Sequence, residues 1–166
     1  MTIADKINRF NKGMGTFVSR LNIALIALIT IDVIFRYIFH ITKTWVLELE
    51  WQLFALIFLM GSAFTLSEDK HVRVDIFYIK FSPRVQALVN ILGYFMLLIP
   101  WCLLVVYTAF RYAYHAWQTM EGSPNPGGLP YYFIIKSIIV FAFVLLAMQG
   151  LVQILLELRK WKKWNI

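Results

Sequence analysis

Two charges of opposite sign stand in the first long apolar stretch of this chain, at Asp32 and Arg36. They are four residues apart, so on a helix they share one face, where an acid and a base can form an ion pair. A charge deep in a membrane costs roughly 2.5–3.5 kcal/mol unless it is paired or can reach the surface. The pair could therefore satisfy itself, or it could contact a partner subunit or line an ion path.

Two carboxylates follow at the start of the second apolar stretch, at Glu48 and Glu50. Residues two apart point in different directions on a helix, so these acids do not form an acid/base dyad on one face. Glu48 and Gln52 begin a stripe of polar and small residues, of the kind that packs between helices in lipid. Glu48 could pair with another protein or with a cation of this chain, the candidates being Arg36, Lys43 and Lys136.

Three polar residues lie in the last apolar stretch: Lys136 near its start, and Gln149 and Gln153 further along. Lys136 could extend to the membrane surface or meet a carboxylate. Gln149 and Gln153 share a helix face, which predicts another contact between helices. Eight residues are thus candidates for pairing inside the membrane or for contact with another subunit: Asp32, Arg36, Glu48, Glu50, Gln52, Lys136, Gln149 and Gln153.

The motifs of enzymes and metalloproteins do not occur in the sequence. His40 and His115 fall at the outer ends of apolar stretches and His71 in a loop, so no two of them could face each other and hold a haem. Cys102 is the single cysteine, and there is no glycine-rich phosphate loop. We therefore expect no catalytic residue, no substrate-binding residue, no metal site and no cofactor in this chain.

The elements that must position these residues are membrane helices. Of the 166 residues, 60% are hydrophobic and 15% are charged, a composition that lipid tolerates and a water-exposed surface does not. Four apolar stretches approach the roughly 20 residues needed to cross a hydrocarbon core. They cover about residues 21–39, 49–66, 87–110 and 131–156. We predict an all-α integral membrane protein with four transmembrane helices, forming a single membrane domain over residues 1–166.

The N-terminal segment, residues 2–20, has a different pattern. Its apolar side chains recur at steps of three and four, and the basic residues lie outside that stripe. We predict an amphipathic helix on the inner leaflet, with a frayed lead-in to the first span as the alternative, because Gly13 and Gly15 weaken a helix. The stripe consists of Ile3, Ile7, Phe10, Met14 and Phe17.

The basic residues predict the orientation of the chain and account for its net charge of +7 without a nucleic-acid partner. Twelve of the sixteen lie before the first span, between the second and third spans, or after the fourth. Cytoplasmic loops carry an excess of Lys and Arg, so we expect both termini in the cytoplasm. Residues 71–78, in the loop between spans two and three, could form a tight turn or a docking element.

Several short motifs resemble the DctQ-like small membrane subunit of tripartite ATP-independent periplasmic (TRAP) transporters. They are the Trp45, Glu48, Glu50 opening of the second span, the Gly61-Ser-Ala patch near its end, and the following His71-Val-Arg-Val-Asp75. Leu129-Pro130 before the fourth span agrees as well. The resemblance covers nearly the whole chain and rests on the order of these motifs.

The resemblance implies a non-catalytic subunit of a secondary transporter in the bacterial inner membrane. Its partners would be a large DctM-like permease subunit, which carries the substrate and sodium sites, a periplasmic solute-binding protein, and membrane lipid. Substrates of such transporters are organic acids, including C4-dicarboxylates and sialic acid. The alternative is a small channel or exporter that acts alone as a homo-oligomer, with Asp32, Glu48 and Lys136 along its path.

The orientation can be tested with reporter fusions. A reporter that is active only in the cytoplasm, fused after residue 166, should give full signal, because the positive-inside rule places this end there. A reporter fused within residues 119–130 should give none. A signal from the second fusion and not from the first would reverse the predicted topology.

Overall fold

The computed structural model describes residues 3–68, 78 and 80–163, and long helices account for nearly all of them. These are α1 (Ile3–Ile38), α2 (Thr44–Ser67), α3 (Pro83–Gln118) and α4 (Phe133–Lys163). Each of the four is long and apolar enough to cross a membrane. The predicted all-α fold with four membrane-spanning helices is therefore confirmed. Residues 71–77, most of the predicted turn or docking element, lie outside the described residues.

The first helix differs from the prediction, because α1 continues without a break through the expected boundary between residues 20 and 21. Four of its buried positions are spaced by seven residues, at Asn11, Val18, Leu25 and Asp32, as in helices that cross at a shallow angle. One packing seam thus spans the predicted amphipathic segment and the predicted first span.

The side of this segment that packs in the bundle is separate from its apolar stripe. Phe10 and Phe17 are 50% and 55% exposed, whereas Asn11 is almost fully buried. Packing against α2 and α4 determines which side of α1 is buried. Small or polar residues allow these helices to approach α1 more closely than phenylalanine would.

The third helix is longer than the predicted residues 87–110 and contains a π-helical turn at Gly93–Leu98, just before Pro100. Proline has no N–H and its ring crowds the carbonyl four residues earlier, at Met96. Within the π-helical turn the hydrogen bonds run over five residues rather than four, which shifts this carbonyl away from the ring. The helix therefore passes its proline with a widened turn and remains helical on both sides.

The bundle is organised around α4, which packs extensively against α1, α2 and α3. We call the end with residues 39–43 and 119–132 the loop end, and the opposite end, with both chain termini, the terminal end. One buried cluster joins three helices at Val18, Met60, Ala142 and Leu145. A second joins α2, α3 and α4 at Leu66, Cys102 and Leu146.

The two helices α1 and α2 approach each other closely at Gly15. A Cβ atom at this position would overlap the ring of Phe64, whereas one at Gly13 would meet nothing within 4 Å. Gly15 is therefore required by packing, while the same residue type two positions earlier faces open space.

This difference predicts unequal effects of one substitution at two neighbouring glycines. Gly15→Val should lower the free energy of unfolding by about 1–3 kcal/mol, because overpacking forces α1 away from α2. Gly13→Val is the matched control and should cost little in the isolated chain. Thermal unfolding in detergent, followed by circular dichroism, measures both. Equal melting temperatures for the two variants would contradict the close approach at Gly15.

Candidate functional site at the loop end of the bundle

The first turn of α2 places Glu48 under the loop formed by residues 121–130, where it is only 4% exposed. The Ser123 hydroxyl donates a hydrogen bond to its Oε1 atom, and Asn125 Nδ2 donates to the same atom at 3.2 Å. The backbone N–H of Leu129 donates to Oε2 at 2.6 Å. Each carboxylate oxygen thus accepts hydrogen bonds from the loop, and Glu48 holds the loop against the start of α2.

Glu48 is paired within the chain, which is one of the two predicted alternatives. Its partners differ from the predicted ones. Arg36, Lys43 and Lys136 were the expected cations, and none of them bonds to Glu48 in the described part of the chain. Neutral groups of the loop donate to Glu48 instead. Hydrogen bonds from N–H and O–H groups to a charged carboxylate are strong, so no cation is needed to stabilise it.

The loop is closed by its own backbone. Ser123 N–H donates to the Leu129 carbonyl at 2.9 Å, and Tyr132 N–H donates to the Glu121 carbonyl at 2.8 Å. Met120 and Tyr131, one on each side of the loop, both adopt positive φ angles, of 46° and 62°. Such angles are unfavourable for residues with a Cβ and persist only where the surrounding contacts enforce them.

Gly128 contributes to the same arrangement through its lack of a side chain. A Cβ atom here would lie 2.7 Å from Oε1 of Glu48 and would also overlap the Ser123 side chain. The glycine therefore leaves room for the carboxylate inside the loop.

A second contact ties this loop to α4. Lys136 Nζ lies 2.6 Å from a carboxylate oxygen of Glu121 and 3.7 Å from the centre of the Tyr112 ring. Its side chain is only 6% exposed, so Lys136 meets a carboxylate rather than extending to the surface. The ammonium group gains both an ion pair and a cation–π contact, which together offset its removal from water.

The charges on α1 and the second acid of α2 form a separate group at the loop end. Asp32 and Arg36 are joined in an ion pair, in which Asp32 is buried and Arg36 is 37% exposed. Glu50 lies within electrostatic range of both, and its buried Oε1 atom has no hydrogen bond to the described residues. Gln52 is half-buried on α2 and has no hydrogen bond to the described part of the chain either.

Polar contacts also join the helices toward the terminal end. Gln149 is fully buried, accepts a hydrogen bond from Asn11 at 2.7 Å and donates one to Asn8 at 2.8 Å. Gln153 donates to the backbone carbonyl of Leu66 at 2.8 Å. Sequence reasoning missed both asparagines, although the seven-residue spacing from Asn11 to Val18 and Leu25 was a signal for the buried seam.

None of the eight candidate residues lines the groove that runs between α3 and α4. This groove has a volume of about 530 Å³ and is mostly apolar, with Tyr114 and Ser137 among its lining residues. Six of the eight instead bond to other side chains or to backbone groups, the exceptions being Glu50 and Gln52. Four of these six side chains hold helices and a loop together.

A comparison with known protein families identifies the family of this chain. Residues 25–160 match the family described as the DctQ component of tripartite ATP-independent periplasmic transporters. The chain belongs to the DctQ family. No curated protein matches it significantly. Together with the four apolar helices, the family identifies a multi-pass membrane protein that is the small membrane component of a TRAP transporter.

The hold of Glu48 on the loop of this DctQ component can be tested by hydrogen exchange. Glu48→Gln leaves one carbonyl oxygen in place of two carboxylate oxygens and turns an NH₂ group toward N–H and O–H donors. The amide of Leu129 should then exchange about tenfold faster or more, as expected when a hydrogen bond to a charged acceptor is lost. Exchange resolved over residues 119–132 measures the effect.

Glu50→Gln is the matched control, since it changes the same residue type two positions away without touching the loop. It should leave exchange over residues 119–132 unchanged. If both variants, or neither, accelerated exchange there, Glu48 would not be the residue that holds the loop.

Proposed function

We propose that this DctQ component is a non-catalytic scaffold subunit, which binds the large permease subunit of its transporter within the bilayer and stabilises it. One observation carries the proposal: six of the eight candidate residues bond to other groups of the chain, and none of the eight lines the groove between α3 and α4. A subunit of this kind supplies a rigid surface against which a transport domain can move.

The proposal includes the partners and the setting. The chain resides in the bacterial inner membrane with both termini in the cytoplasm, so the loop end faces the periplasm, where a solute-binding protein delivers the substrate. The large permease subunit carries the substrate and sodium sites. The transported solutes are organic acids of the class that includes C4-dicarboxylates and sialic acid.

The alternative, a channel or exporter formed by copies of this chain alone, has less support. Its path would use Asp32, Glu48 and Lys136, but each of these side chains already has a charged or hydrogen-bonded partner within the chain. Opening a path along them would require those bonds to break.

Purification and reconstitution test the proposal. The tagged chain, expressed with the large permease subunit from the same transporter, should co-purify with it in detergent. Vesicles that contain both membrane subunits should take up the organic acid when the binding protein and a sodium gradient are supplied. Vesicles with the small chain alone should show no uptake, and solute flux from them would overturn the scaffold role. If the two subunits did not co-purify, the large permease subunit would not be the partner of this chain.

A further inference from the structure

A narrow groove runs between α1 and α4 on the outer side of the bundle. Its floor includes Asn11 and Leu145, which are buried, and its sides include Phe10 and Phe141, which are exposed. The groove has a volume of about 240 Å³ and is mostly apolar. Ile7 and Phe10 both line it, so part of the apolar stripe of the N-terminal segment faces this groove.

The groove extends from the terminal end of the bundle toward its middle. The hydrogen bond between Asn11 and Gln149 fixes the register of α1 against α4. Lys6 lies five residues from Asn11 toward the terminal end, and Phe141 lies eight residues from Gln149 in the opposite direction. At 1.5 Å per residue, the lining therefore spans about 20 Å. One leaflet of a membrane, with its headgroups, is also about 20 Å deep. The groove thus has the length of one phospholipid.

Basic residues lie at the terminal end of the groove. Lys6 lines the groove itself, and Arg159 lies on the same side of α4 as Met148, because the eleven residues between them make about three turns. Both side chains are exposed, and neither forms an ion pair with the described residues. The acid two residues before Arg159, Glu157, is buried and already paired with Lys160. Two cationic groups are thus available where the groove opens.

The size of the groove limits what can occupy it. A helix about 10 Å in diameter and 20 Å long occupies about 1,600 Å³, several times the 240 Å³ of the groove. A helix of another subunit can therefore lie across the groove but cannot enter it. A hydrocarbon chain is slender enough to enter, and it would supply the van der Waals contacts that the apolar lining otherwise lacks.

We propose that this groove binds an anionic phospholipid, with an acyl chain between α1 and α4 and the phosphate against Lys6 and Arg159. Basic pockets between transmembrane helices bind anionic headgroups, because each Lys or Arg near the membrane surface attracts them. A second copy of the chain, placed symmetrically, would instead bring like charges together. The inference goes beyond the scaffold role and does not depend on it.

Lipid retention tests the preference for an anionic headgroup. The chain, purified in detergent, is mixed with equal amounts of dioleoyl phosphatidylglycerol and dioleoyl phosphatidylcholine, and the bound lipid is measured by native mass spectrometry. The wild type should retain about tenfold more phosphatidylglycerol, since this lipid carries a net negative charge and the two basic residues attract it. Equal retention of the two lipids would overturn the proposal.

Substitutions at the end of the groove test the two basic residues. Lys6→Gln and Arg159→Gln should each lower the retention of phosphatidylglycerol about fivefold, because each removes one attractive charge. Arg9→Gln is the matched control, since it removes the same charge from α1 at a residue that does not line the groove, and it should retain the lipid as the wild type does. Equal losses from Arg9→Gln and Lys6→Gln would show that net charge alone attracts the lipid, and the site would be rejected.

A conservative variant separates headgroup binding from folding. Lys6→Arg keeps the charge and should retain phosphatidylglycerol. Without added lipid, Lys6→Gln and Lys6→Arg should both melt at the wild-type temperature in detergent, because the side chain at this position is exposed. If Lys6→Gln melted at a lower temperature and Lys6→Arg also lost the lipid, Lys6 would act through folding, and the headgroup contact would be refuted.

A photoreactive phosphatidylglycerol locates the acyl chain. With the photoreactive group in the middle of one acyl chain and the lipid added in equimolar amount, the label should concentrate on Phe10, Phe141 and Met148. Leu104 of α3 is also exposed and apolar but lies outside the groove, so it should stay unlabelled. Equal labelling of Leu104 and Phe141 would show that lipid covers the whole surface without preference and would overturn the assignment of the groove.

Discussion

The hydrocarbon interior of a membrane offers no hydrogen bonds, so every polar group placed there needs a partner supplied by protein. This constraint explains most of the contacts in the chain. Buried Gln149 bonds to two asparagines of α1, Gln153 bonds to a backbone carbonyl, and buried Lys136 bonds to Glu121. Each such bond joins two elements. Because each buried polar group needs its partner, these bonds favour one specific packing of the helices.

The central position of α4 follows from the same constraint. Near its loop end Lys136 ties it to the residues that follow α3, and further along it Gln149 and Gln153 tie it to α1 and α2. Apolar clusters fill the space between these polar contacts. Displacing α1 or α2 from α4 would therefore break a buried hydrogen bond as well as van der Waals contacts.

The loop end shows how a carboxylate can organise irregular backbone. Residues 121–130 contain three prolines, which have no N–H to contribute to closing the loop. Glu48 accepts from the donors that remain, at Ser123, Asn125 and Leu129. The loop is thereby held in one conformation at the surface of the bundle.

The sequence by itself determined the number of membrane helices, their approximate limits and the residues whose polarity required an explanation, because these follow from composition and from periodicity over neighbouring residues. The tertiary structure alone decided the partners. Glu48 and Leu129 are separated by 81 residues, and Asn11 and Gln149 by 138, so no local pattern relates them. It also decided that α1 is one continuous helix and that Asn11 lies on its buried side. The fit of α1 against α2 and α4 selects its buried side, and hydrophobicity does not reveal that side when lipid surrounds the protein.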